Sequence, residues 1–127
     1  MSYAIEPAAT HSIDQMLGFD TDPYIQDWDI ERADGSKLDE WLALAREASL
    51  NTQEKRAFFA LIVASYDEFL DQNFGIEEHQ ATDNWISEQI QNHKGSFRDI
   101  IEYWKRYGSG EPGIGTVALV LAKYDGK

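Results

Sequence analysis

Residues 51–73 read NTQEKRAFFALIVASYDEFLDQN, and this stretch decides the fold. Asn51 or Thr52 supplies an N-cap, because a short polar side chain there accepts a hydrogen bond from an otherwise unpaired amide of the first turn. From that cap the chain is predicted to stay helical to about Asn73, with Gly75 as the stop. Phe58, Phe59, Leu61, Ile62, Val63, Tyr66, Phe69 and Leu70 do not form one stripe; they cover more than one face. A helix that is apolar over most of its girth belongs at the centre of a bundle, with other elements packed around it.

Working outward from it, Ser36 with Asp39 three residues on resembles a capping box, and Leu38, Trp41, Leu42 and Ala45 keep helical spacing behind it. A third helix is expected over residues 82–93, with Trp85, Ile86 and Ile90 inward, and Lys94-Gly95 ends it. Ser96 with Asp99 then opens a fourth, whose stripe is Phe97, Ile100, Ile101, Trp104 and Tyr107. Gly108 to Gly115 is a glycine-rich loop. The segment 116–124 is ambiguous between helix and strand: Val117, Leu121 and Tyr124 fit a helical stripe, while the Val-Ala-Leu-Val-Leu run also suits a buried strand. Helix is preferred, since only one weak strand candidate exists to pair with it.

That candidate lies at the other end. Residues 1–35 are the least regular part, with a short turn from Ser12 to Leu17 stopped by Gly18 and a turn at Asp20-Thr21-Asp22-Pro23. Between positions 24 and 32 the pattern alternates, Trp28 and Ile30 on one side and Asp27, Asp29 and Glu31 on the other. This is the period-2 mark of a short half-buried strand closed by Asp34-Gly35, or of a coil holding two aromatics. The expected architecture is therefore mainly α: a single domain, 1–127, with an irregular wrap at 1–35 over a compact core of four to five helices at 36–124.

The 127 residues suit one domain, and the apolar (43%) and aromatic (13%) fractions are enough to build a core without staples. There is no cysteine, which excludes disulfides, thiolate nucleophiles and thiolate metal sites. The first residues carry neither a basic nor an apolar leader region, and the longest apolar run, Ala57 to Ala64, is far too short to span a bilayer. A cytoplasmic chain is the expectation.

Charge is the outstanding global feature, net −12, and it is uneven. Residues 1–40 hold ten acids against two bases, residues 41–93 nine against three, and residues 94–127 four against six. Such a field repels nucleic acid and anionic membrane and steers basic partners inward, although acidity also simply keeps small domains soluble.

No complete catalytic or metal signature accompanies the charge. His11, His79 and His93 include no i, i+4 pair, and Glu77-Glu78-His79 falls short of the doubled Glu-x-x-His of a diiron bundle, so the histidines are read as surface groups at helix ends. Gly108-Ser109-Gly110-Glu111-Pro112-Gly113 spells G-x-G-x-x-G, but it follows a helix, carries Glu111 where a phosphate would sit, and leaves no room for a βαβ unit. Asp27-x-Asp29-x-Glu31 lacks the glycine and the distal glutamate of a calcium loop; Arg32 and Leu38 hold those places. No metal or cofactor is expected.

What is left is an interface. Asp20, Asp22, Tyr24, Asp27, Trp28, Asp29 and Glu31 place carboxylates around aromatics, the ingredients of a surface that anchors and attracts a basic protein. Asp67, Glu68, Asp71, Glu77 and Glu78 make a second acidic series. The expected role is a non-catalytic binding protein that neutralises a basic partner, such as an immunity protein against a nuclease-type toxin. A nucleic-acid mimic that occupies a DNA-binding protein, or a small carboxylate-using enzyme or ligand-binding bundle, is the alternative.

Overall fold

A computed structural model describes residues 5–20, 28–72, 79–107 and 117–125. Within them the chain runs α1 (Pro7–Leu17), α2 (Trp28–Arg32), a 3₁₀ turn (Gly35–Lys37), α3 (Leu38–Glu47), α4 (Thr52–Gln72), α5 (Gln80–His93), α6 (Arg98–Tyr107) and α7 (Val117–Asp125). The protein is mainly α, and no strand occurs among the described residues. The ambiguous C-terminal segment is helical. The expected stops at Gly75 and in the 108–115 loop lie outside the described residues.

The quoted stretch is the central post. Asn51 Oδ1 accepts the Glu54 amide at 2.8 Å while Glu54 Oε1 accepts the Asn51 amide at 2.9 Å, a reciprocal capping box that satisfies two otherwise orphaned donors. Every residue from Ala57 to Asp67 is buried, and α1, α2, α3, α5 and α7 all pack against α4. At its middle Phe59 stacks on Trp85 (6.1 Å between ring centres) and Phe97 (4.6 Å), which ties α4 to α5 and to the turn before α6. Each such ring contributes about 2–3 kcal/mol on burial, so the α4 girth dominates the core. Tyr66 adds a polar tie, its hydroxyl donating to Asp83 Oδ1 (2.8 Å) and accepting the His79 amide (3.2 Å).

The N-terminal region departs most from expectation. Instead of a short turn after Ser12, α1 begins at Pro7, a residue whose fixed φ suits the first helical position. Gly18 does end it, at φ 80°, the left-handed conformation that glycine tolerates. Only Ala9, Ile13 and Asp14 of α1 are buried, so its apolar stripe is too thin to stand out in the sequence.

The strand expected over 24–32 is also corrected: residues 28–32 are helical, and 24–27 lie outside the described residues. Trp28 and Asp29 are both buried while Ile30 is exposed, which no period-2 pattern allows. Asp14 explains the helix. Its Oδ1 accepts from Trp28 Nε1 at 2.8 Å and lies 3.3 Å from Arg32 Nε, and only helical i, i+4 geometry brings residues 28 and 32 to one carboxylate.

Three helix starts differ from their expected positions for the same kind of reason. Asp34, not Ser36, caps the 3₁₀ turn, its Oδ1 accepting from the Ser36 amide (3.0 Å) and hydroxyl (2.6 Å), so α3 begins only at Leu38. His79 caps α5 through Nδ1, which accepts the Thr82 amide at 3.3 Å, while its Nε2 reaches Asp39 at 2.9 Å; the helix starts two residues earlier than expected. Asp99 does not bond back to Ser96: its carboxylate is taken by Arg56, whose Nη1 also donates to the Ser96 carbonyl at 2.8 Å. As for the other histidines, His11 sits mid-helix and exposed, and His93 leans half-buried on Phe97.

Gly35 sets how closely the 3₁₀ turn approaches α4. A methyl group at this position would meet the Phe69 backbone and Cβ at 3.0 Å, and the Asp34 amide donates to Ser65 Oγ at 3.1 Å across the same contact. Gly35→Ala is expected to destabilise by about 1–3 kcal/mol, the usual range for overpacking. A urea midpoint equal to that of the parent would show that the turn can retreat without loss.

Candidate functional site

The last two turns of α4 carry Asp67, Glu68 and Asp71, and the last turn holds no basic residue. This breaks the usual rule for helix ends, where the accumulated carbonyl dipoles leave partial negative charge and favour Lys or Arg. Asp67 and Asp71 are also four residues apart, the spacing at which like charges repel on a helix. The sequence places negative charge where local physics disfavours it.

Those three residues help to line a groove of about 330 Å³. Ile30 of α2, Ala33 just after it, Ala64 of α4, and Tyr103 and Trp104 of α6 also line it. Asp67 is buried, Glu68 half-buried and Asp71 exposed. Glu68 Oε1 is held loosely, 3.5 Å from the Gly35 amide and 3.4 Å from Gln72 Nε2. Tyr103 and Trp104 meet edge to face, 5.5 Å between centres, with Trp104 itself only 5% exposed. Ile30, at 44% exposure, is the one large apolar side chain left exposed among the described residues. No lysine or arginine is among the described residues that line the groove.

Three of the six bases of the C-terminal quarter are occupied elsewhere. Lys94, Arg98 and Lys105 converge on the Asp125 carboxylate at 3.4, 2.6 and 2.8 Å, and Arg98 also bonds Glu102 at 2.8 Å. Hydrogen bonding from Arg98, then from Lys105, holds Asp125 well below the usual carboxylate range. The cluster fastens α7 across α6.

The two acidic series of the sequence are thus only partly surface features. Asp20 and Glu31 are exposed, and Asp22, Tyr24, Asp27, Glu77 and Glu78 lie outside the described residues. Trp28 and Asp29, expected to face a partner, are buried instead: Trp28 is committed to Asp14, and Asp29 is 5% exposed. Burial pushes the Asp29 carboxyl up to about 6, against the opposing effect of its own amide and that of Ile30.

Ile30, Tyr103 and Trp104 line the groove, whereas the sequence reading puts Trp104 in the inward stripe of a helix, sets Ile30 beside Trp28 in a strand, and assigns Tyr103 no role. The signal that was available is the run of acids at the carbonyl end of α4. Among the described residues no three His, Asp or Glu side chains converge as metal ligands would, and no helix is long and apolar enough to cross a membrane. The chain matches no family model, and neither a curated protein nor a solved structure matches it.

Proposed function

We propose that the protein is a non-catalytic acidic binding protein that neutralises a basic protein partner in the cytoplasm, in the manner of an immunity protein set against a nuclease-type toxin. The observation that carries this reading is the groove lined by residues of α2, α4 and α6, where Asp67, Glu68 and Asp71 share the lining with apolar and aromatic residues and no basic residue is among the described ones. Enzymes that act on nucleic acid present basic surfaces because their substrate is a polyanion, and an acidic face attracts them over long range. Aromatic and aliphatic side chains beside the charge supply the desolvated contacts that give such complexes their lifetime. The carboxylate-enzyme alternative gains less support, because Asp29, the carboxyl pushed toward neutrality, does not line this groove.

The test is to isolate the partner from the native host and measure association by stopped flow against ionic strength. The double variant Glu68→Lys with Asp71→Lys is expected to slow association about tenfold at low salt and to flatten its salt dependence. Glu88→Lys, an exposed acid on α5, is expected to act only weakly, as a remote charge does. Association that is indifferent to both salt and charge reversal would overturn the reading.

A further inference from the structure

We infer that His79 is a proton-operated cap: its neutral ring closes the start of α5, and its protonated ring gives up that helix while staying tied to α3. This goes beyond the binding function proposed above and does not depend on it.

The ring sits where three helices meet. Nε2 lies 2.9 Å from Asp39 Oδ1 of α3. Nδ1 accepts the Thr82 amide at 3.3 Å and lies 2.7 Å from Thr82 Oγ1, both in the first turn of α5. The ring meets Phe69 of α4 edge to face, 5.6 Å between centres, and the His79 amide donates to the Tyr66 hydroxyl at 3.2 Å. Among the described residues, the titratable groups set against it are therefore Asp39 of α3 and Tyr66 of α4. Tyr66 in turn donates to Asp83 of α5 at 2.8 Å.

These contacts fix which hydrogen the neutral ring carries. A ring nitrogen that accepts an amide N–H holds no hydrogen, so the neutral ring carries its own on Nε2 and donates it to Asp39. Protonation puts a second hydrogen on Nδ1 and makes both nitrogens donors. Nδ1 then no longer accepts the Thr82 amide, whereas Thr82 Oγ1 is placed to receive its hydrogen. The bond to the hydroxyl reverses direction and the bond to the amide is lost. Nε2 keeps its acceptor, now as an ion pair that offsets the positive charge brought to the N-terminus of α5. Thr82 has no exposed surface, so water does not replace the lost acceptor; the amide falls back on the His79 carbonyl at 3.0 Å, which it already shares. The start of α5 is loosened, not undone. Solvent protons reach the ring because the side chain is 19% exposed.

The experiment uses the full chain labelled with nitrogen-15 and carbon-13, taken from about pH 8 to about pH 5, the span in which histidine changes charge. Long-range ring correlations are expected to show neutral His79 with its hydrogen on Nε2. On acidification the Thr82 amide resonance should move with the same midpoint as the ring. Exchange of that amide, corrected for its intrinsic pH dependence, should speed up about two- to fivefold, the low end for a lost helix cap. The Overhauser contact between the His79 and Phe69 rings should persist, since the ring stays on Asp39. His79→Asn caps without titrating and is expected to abolish both responses at Thr82. Neutral His79 with its hydrogen on Nδ1, or a Thr82 amide indifferent to the ring's titration, would overturn the inference. So would a response that survives in His79→Asn, which would belong to another acid such as Asp83. Loss of the Phe69 contact on acidification would overturn it too, by showing that the whole segment is released.

Discussion

Asp14→Ala is expected to cost about 3 kcal/mol of folding stability, the low end of the range for removing one member of a buried charged cluster. Asp14 is 2% exposed, and its Oδ1 accepts from buried Trp28 Nε1 at 2.8 Å. The same oxygen lies 3.3 Å from the buried Arg32 Nε, an ion pair without a well-aligned hydrogen bond. Arg32 is further committed by Nη2 to the Asp20 carbonyl at 2.7 Å and by its guanidinium face to Phe19, 4.8 Å away. Removing the carboxylate therefore strands an indole N–H and takes the counter-charge from the half-buried Arg32 guanidinium. Asp14→Asn keeps an acceptor for Trp28 and discards the charge, so it should lose less, about 1–2 kcal/mol. Urea unfolding followed by tryptophan fluorescence reads both through the midpoint. Equal losses for the two variants would show that the charge contributes nothing.

Asp29→Asn should do the reverse and stabilise the protein at neutral pH. Burial raises the Asp29 carboxyl to about 6 from the usual 3.8. Below pH 3.8 the group is protonated whether the chain is folded or not, so burial of the charge costs nothing. Between 3.8 and 6 the folded state keeps a proton that the unfolded state releases, and stability falls as pH rises. Above pH 6 the full penalty is in place, at most about 3 kcal/mol for a shift of this size. Asparagine fills the same space without ionising, so the variant should gain about 2–3 kcal/mol at pH 7.5 and almost nothing at pH 3.5. The difference between the two urea midpoints, followed from pH 3.5 to 7.5, isolates Asp29 from the other acids. A constant difference over that range would sink the assignment.

The two aspartates also explain where sequence reading succeeded and failed. The long apolar α4 was legible because its evidence is local: a capping box at one end and large side chains around the whole girth. The α5 and α6 stripes were legible for the same reason, and α7 was resolved correctly by the absence of strand partners. The alternation over 28–32 pointed the other way, because Trp28, Asp29 and Ile30 satisfy a strand pattern by residue type alone. Their true placement depends on Asp14, fourteen residues away from Trp28, and no periodicity within the segment records it.

The acidic site divides along the same line. Net charge, its concentration before residue 94, and the acids at the end of α4 follow from the sequence alone, because charge and helix position are properties of residues and their order. Which acids face solvent was decided by packing. α2 lays Asp29 inward and Ile30 outward, and α6 brings Tyr103 and Trp104 into the same groove lining as Asp67, Glu68 and Asp71. Three of the six bases of the C-terminal quarter, Lys94, Arg98 and Lys105, are likewise gathered onto Asp125, 20 to 31 positions away. Composition determined that this protein would be acidic and helical. Contacts between segments distant in the chain determined which of its acids are buried, ion-paired or left at the surface, since burial and ion pairing are set by neighbours in space.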